Sequence, residues 1–186
     1  MTPTKASRTF VNPLIKDKAT FLETSAETGG KFTLIQIELG PNGGNGLHYH
    51  KTFDETFTVQ EGILGVEVDK QILHLKEGES ATVQMGQLHR FFNPSATEKV
   101  VFNVLIEPGN SNFEKVIQIV YGLAADGRTT SSSVPKNMYH MALIVQWGDT
   151  NAPGFFTVIV PILKWLAKRA ISKGIDRELL DKYVKI

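Results

Sequence analysis

The hydrophobic period of this chain changes once, near residue 110, and that change limits the folds open to it. Before that point apolar residues alternate with polar ones in short runs, the pattern of half-buried strands. Candidate strands are Ala19–Thr24, Phe32–Leu39, Leu47–His50, Glu55–Gln60, Leu64–Val68, Ile72–Lys76, Ala81–Val83, His89–Asn93 and Lys99–Glu107. Turn chemistry separates them, as at Pro41-Asn42-Gly43-Gly44 and Asn93-Pro94-Ser95. Many short strands at such spacing form a sandwich or a barrel. After Pro108-Gly109-Asn110 the period becomes helical, with Ser111 or Asn112 as the expected first cap. The reading predicts a β-rich unit over 1–108, of roughly ten strands, and a helical extension over 109–186.

Composition narrows the function classes. The chain has 186 residues, with 20 Lys and Arg against 19 Asp and Glu, a net charge of +1. No basic excess or basic helix-turn-helix region invites a nucleic-acid backbone, so no nucleic-acid partner is expected. Cysteine is absent, which removes disulfides, thiolate metal sites and cysteine nucleophiles together. The start, MTPTKASRTF, lacks the apolar core of a secretory signal. No run of ~20 apolar residues is present to span a bilayer. A cytoplasmic location is the expectation.

The chemistry concentrates between Gly43 and Asn93. His48 and His50 stand two apart, so in an extended run both imidazoles project to one side. Glu55 follows across a short connection, and His89 comes from a separate strand after Gly86. Three imidazoles and one carboxylate suit a first-row divalent metal with positions left for water or substrate. Phe57 shares a face with Glu55, and Phe91 shares one with His89. Together with Gln84 they are candidate walls of a small-molecule pocket.

These residues resemble the two motifs of the cupin superfamily. The first motif asks for Gly, five residues, His-x-His, three or four residues, Glu, six residues and Gly. His48, His50, Glu55 and Gly62 fit it, with Asn42 in the slot of the opening glycine. The second asks for Gly, five residues, Pro-x-Gly, two residues, His, three residues and Asn. Gly78, Gly86, His89 and Asn93 fit, with Gln84 in place of the proline. Residues Ile63 to Glu77 separate the motifs, and the resemblance covers about residues 30–107. It implies a mainly β protein, a double-stranded β-helix (jelly-roll) barrel followed by α-helices. It also implies one divalent transition metal, Fe, Mn, Ni, Cu or Zn, held by His48, His50, Glu55 and His89. Glu55 then doubles as candidate catalytic base. Asn93 is expected to act as a structural turn residue.

Two classes of function follow. One is a metal-dependent enzyme, oxygenase-like or isomerase-like, acting on a small organic molecule inside the barrel. The other is a non-catalytic metal or small-molecule binding or sensing module with a helical interaction tail. In that tail, Gly154–Ile171 carries a wide apolar arc in which Phe155, Ile159, Ile162 and Leu166 are expected to bury themselves against protein, within the chain or across a homodimer. The alternative is an interfacial membrane helix, with Lys164, Lys168, Arg169 and Lys173 facing anionic lipid.

Overall fold

The computed structural model describes residues 8–152 and 156–186. Nine strands come first: β1 (Thr9–Asn12), β2 (Asp17–Glu23), β3 (Thr33–Leu39), β4 (Asp54–Glu61), β5 (Ile63–Val68), β6 (Gln71–Lys76), β7 (Ser80–Val83), β8 (His89–Phe92) and β9 (Val100–Glu107). Four helices follow: α1 (Ser111–Ala125), α2 (Met138–Gly148), α3 (Phe156–Ser172) and α4 (Ile175–Tyr183). All strand pairs are antiparallel. A six-stranded sheet runs β1-β2-β3-β9-β4-β7 and a three-stranded one runs β6-β5-β8. The architecture is the jelly-roll expected, built as two sheets over a shared core rather than one ring of ten strands.

Alternation explains the core. Along β3, Thr33, Ile35, Ile37 and Leu39 are buried while the residues between them are half-exposed. Glu55, Phe57 and Val59 do the same on β4. From the smaller sheet Leu64, Val66 and Leu75 meet them in one apolar cluster. Burying each such aliphatic or aromatic side chain contributes ~1.5–3 kcal/mol. At Gly65 no side chain would fit, since a Cβ would lie 2.3 Å from the Phe92 ring.

The differences from the sequence reading have local causes. Leu47–His50 is not a strand; single bridges join His48 to His89 and Tyr49 to Asn151. Neighbouring glycines and Asn45 break the ladder there while leaving the chain extended. β1 had no periodic signal in four residues. β2 begins two residues earlier than expected, at Asp17, because a buried acid hides the apolar pattern. The first helix is capped by Asn110, whose side chain accepts from the N–H groups of Asn112 and Phe113.

Helix α1 has two covered faces. Phe113, Ile117, Val120 and Tyr121 pack on the β core, while Val116, Ile119 and Leu123 join α2, α3 and α4 in a second cluster. In α3, Leu163, Ala167 and Ala170 are the buried residues. Ile159 and Leu166 are partly buried against that cluster. Ile162, by contrast, is 57 % exposed on the single chain, as is Trp165. Burial within the chain therefore holds for two of the four named residues; Phe155 lies outside the described ones. The helix wheel favours large side chains, but the closely packed face holds two alanines beside Leu163. No described helix is long and apolar enough to cross a membrane.

Candidate metal centre

His48, His50, Glu55 and His89 converge, with one potential ligand atom from each lying within 4.8 Å of all the others. Glu55 enters from β4 and His89 from β8. His48 and His50 come from the extended connection before β4. His50, Glu55 and His89 are buried and His48 is half-buried. A reciprocal backbone pair locks the histidines together. The His48 N–H donates to the His89 carbonyl at 2.9 Å, and the His89 N–H returns at 2.8 Å.

Hydrogen bonds to main-chain carbonyls decide which ring nitrogens face inward. His48 Nδ1 meets the Gly46 carbonyl at 2.8 Å, His50 Nδ1 that of Asp149 at 3.1 Å, and His89 Nδ1 that of Gln87 at 3.0 Å. A carbonyl oxygen can only accept, so each Nδ1 carries a hydrogen and each neutral ring presents an Nε2 lone pair to the centre. Donation of the outer ring N–H to a carbonyl is how metal-binding histidines are commonly oriented. His50 Nε2 is buried with no hydrogen-bond partner. His89 Nε2 stands 2.7 Å and His50 Nε2 3.5 Å from the same Glu55 oxygen, Oε2. A lone pair that close to a carboxylate is repulsive unless a cation, either a proton or a metal ion, sits between them. The donor set therefore fits a divalent metal.

Charge and burial shape the titration of these groups. Burial would raise the Glu55 carboxyl, but the hydrogen bond from His89 at 2.7 Å and the two imidazoles facing the carboxylate outweigh it and hold the group well below the usual carboxylate range. Burial, with the positive charge of His89, pushes His48 down to about 4. Burial would lower His89 too, yet its hydrogen bond to Glu55 wins and raises it.

The surroundings hold these rings still. Phe53 is buried and stacks on His50 with ring centres 4.3 Å apart, and Phe113 of α1 meets both rings edge-on or tilted. Asp149, in the left-handed conformation at the end of α2, gives its main-chain oxygen to His50. Its carboxylate accepts from the Lys51 N–H at 2.7 Å and the Thr52 hydroxyl at 2.8 Å. The helical part of the chain thus braces the histidine-bearing connection. Neither Phe113 nor Asp149 could be found by spacing.

The two departures from the motifs have physical reasons. Asn42 adopts φ 56°, a left-handed conformation that asparagine tolerates where glycine is usual. The Gln84 N–H donates to Gln87 Oε1 at 2.8 Å, a bond that proline could not make. Gly86, at φ 85°, turns the chain so that its N–H reaches the His50 carbonyl at 2.7 Å. Asn93 ties the carbonyls of Leu39, Gly40 and Glu98 and is structural.

Beside the cluster opens a cavity of about 640 Å³, walled by both sheets and α1. His48, Glu55 and Phe91 line it. Phe57 does not; it is buried behind them against Phe91 and Phe102. Gln84 does not either, being exposed in the β7–β8 turn. Both are corrections to the expected pocket. The motif proline slot points outward, and Phe57 was shared between core and pocket by alternation alone.

Residues 35–106 match the family model for a cupin domain. Over 122 residues the chain is 32 % identical to "Probable oxidoreductase virH" of Hypocrea virens, covering 59 % of this chain and 56 % of that protein. Over 90 residues it is 31 % identical to "Epoxidase atD" of Aspergillus terreus, covering 47 % and 27 %. Less than two thirds of either relative is therefore spanned. Among solved structures, a Shewanella frigidimarina RmlC-like cupin aligns with TM-score 0.46 and 20 % identity, over 53 % of this chain and 81 % of that one.

Proposed function

The chain carries a cupin domain, and from that premise we propose that it is a metal-dependent enzyme acting oxidatively on a small organic molecule. His48, His50, Glu55 and His89 hold one divalent transition metal in this reading. The observation that carries it is the fixed outward N–H of all three imidazoles, which leaves three Nε2 lone pairs and one carboxylate aimed at a common point. The oxidoreductase and epoxidase names of two relatives favour oxidation over isomerisation.

A divalent metal there supplies Lewis acidity and a site that orients an oxygen-bearing substrate group. The chain's own residues do the rest. Ile35, Ile37, Val104 and Phe91 give the cavity beside the cluster an apolar wall for the body of the substrate. Phe53 and Phe113 keep His50 in one orientation. Glu55 is the carboxylate at this end of the cavity, and it is held ionised. It takes a proton from substrate at Oε2 only by giving up its contacts with His50 and His89, so its basicity rises as those contacts loosen.

Elemental analysis of untagged protein tests the metal assignment. One equivalent per chain is expected in the wild type and a stoichiometric loss in the His48→Ala/His50→Ala variant. A folded double variant that keeps its metal refutes it. Oxygen-electrode screening with small organic substrates then tests the oxidative reading. Consumption must depend on both substrate and metal and vanish in the double variant.

A further inference from the structure

We infer that the cavity has a second polar pole, where Asp17, oriented by Tyr121, binds a hydroxyl group at the far end of an elongated and mainly apolar ligand. The inference rests on the proposal that this cavity is the ligand chamber, but not on the metal.

Asp17 and Tyr121 line the same cavity as His48 and Glu55. Helix α1 measures the separation. Phe113 packs on His50 at one end, with ring centres 5.4 Å apart, and Tyr121 lies eight residues on, ~12 Å of helix rise. Between them Ile117 and Val120 present apolar wall, faced by Ile35 and Ile37 of β3.

Asp17 is 2 % exposed, and its Oδ1 is buried without a hydrogen-bond partner among the described residues. Its neighbours are otherwise engaged. Asn12, opposite it in register on β1, is tied to Ser133 and to the Leu14 N–H. The Lys16 ammonium is spent on the Pro41 carbonyl at 2.8 Å. Tyr121 interacts with the carboxyl and offsets part of the effect of burial, which pushes Asp17 up to about 7. No described cation pairs with Asp17.

A buried carboxyl oxygen with no donor costs stability unless something entering the cavity supplies one. One oxygen is left without a donor, since Asn12, Lys16 and Ser133 beside it are engaged elsewhere, and the wall between it and the histidines is apolar. A hydroxyl needs a single acceptor and is satisfied; an ammonium brings three donors and would leave two unpaired.

Two rigid probes read this directly: 4-hydroxybiphenyl, and 4,4′-dihydroxybiphenyl with a hydroxyl at each end. Calorimetric titrations compare them on wild type, Asp17→Leu and Asp17→Asn, each metal-loaded and metal-stripped. With the titrations run at about pH 8, above the value to which burial pushes Asp17, the second hydroxyl should tighten binding to wild type about tenfold, as expected for a hydrogen bond to a charged group. That gain should vanish in Asp17→Leu and shrink in Asp17→Asn, with or without metal. Taking the ratio of two probes on one variant cancels any general loosening of the cavity, and the isosteric Asn keeps the test alive if Leu does not fold. Equal affinity of the two probes for wild type, as a permanently hydrated pole would give, overturns the inference. So does a gain that survives both substitutions. A protein that shows the gain but holds no metal separates failure of the metal centre from failure of this pole.

Discussion

The two ends of the cavity solve the burial of polar groups in opposite ways. At the histidine end every ring donates its outer N–H to a carbonyl, and the leftover lone pairs meet at one point. At the Asp17 end one carboxyl oxygen is left without a donor. The first end is preorganised and packed, with Phe53 fully buried against His50. The second is walled in part by a loop, Ser131 to Ser133, and by Leu14, which is 41 % exposed. Rigid geometry is what a metal requires, whereas a single oxygen that needs a donor suits recognition of a ligand.

Truncation at each end should expose this contrast most strongly. Phe53→Ala removes a fully buried ring and should cost about 3–5 kcal/mol in urea unfolding. Leu14→Ala at the other end should cost less than about 1 kcal/mol, because the side chain is already wet. Equal costs would break the contrast in packing.

The next effect is one of pH. Asp17 is pushed from an ordinary 3.8 to about 7 by burial, with Tyr121 opposing. The folded state then binds a proton that the unfolded chain has released, so this group's contribution to stability falls as pH rises from about 4 to 7 and is level above. Three units correspond to at most about 4 kcal/mol. Asp17→Asn should therefore gain on wild type as pH rises through that window, read as the difference between their unfolding free energies. The difference is the useful quantity, because His48 and His89 titrate in both proteins. A difference independent of pH would mean that Asp17 is solvated and that the pole is no demand on a ligand.

The legibility of the two ends differs for a physical reason. His48, His50, Glu55 and His89 fill the ligand slots of two short motifs, so the resemblance to the cupin superfamily implies that they meet, although only Glu55 and His89 lie on strands. Asp17, Tyr121, Phe113 and Asp149 come from β2, α1 and the end of α2, and no periodicity links them. Asp17 hides the first residues of its strand, which the alternation marks only from Ala19. In α3 the buried face is Leu163, Ala167 and Ala170. Alanines carry little weight in a hydrophobic wheel, so the wheel singles out Ile162, which is not buried within the single chain. The extended fold of the β part was readable because its turns are punctuated; the packing of helices on it was not, because that depends on shape.

The smallest expected effect tests whether the helical part tunes the metal end. Asp149 holds His50 through its main-chain oxygen and holds the following connection through its carboxylate, which accepts from Lys51 and Thr52. It does so at φ 47°, a conformation that aspartate and asparagine tolerate better than alanine. Asp149→Ala keeps the carbonyl but removes the three carboxylate bonds, from Lys51, Thr52 and Asn151, and strains the turn, so His50 loses its fixed orientation. Loss of such an outer partner commonly weakens a metal site 10–100-fold. Because the contact to His50 is main-chain, the low end is expected, about tenfold or 1.4 kcal/mol in a chelator competition. Asp149→Asn, whose Oδ1 can still accept from Lys51 and Thr52 and whose backbone tolerates the turn, should recover part of it, since its Nδ2 cannot accept from Asn151. An Ala variant that folds and binds metal as tightly as wild type would show that the β part orients its histidines unaided.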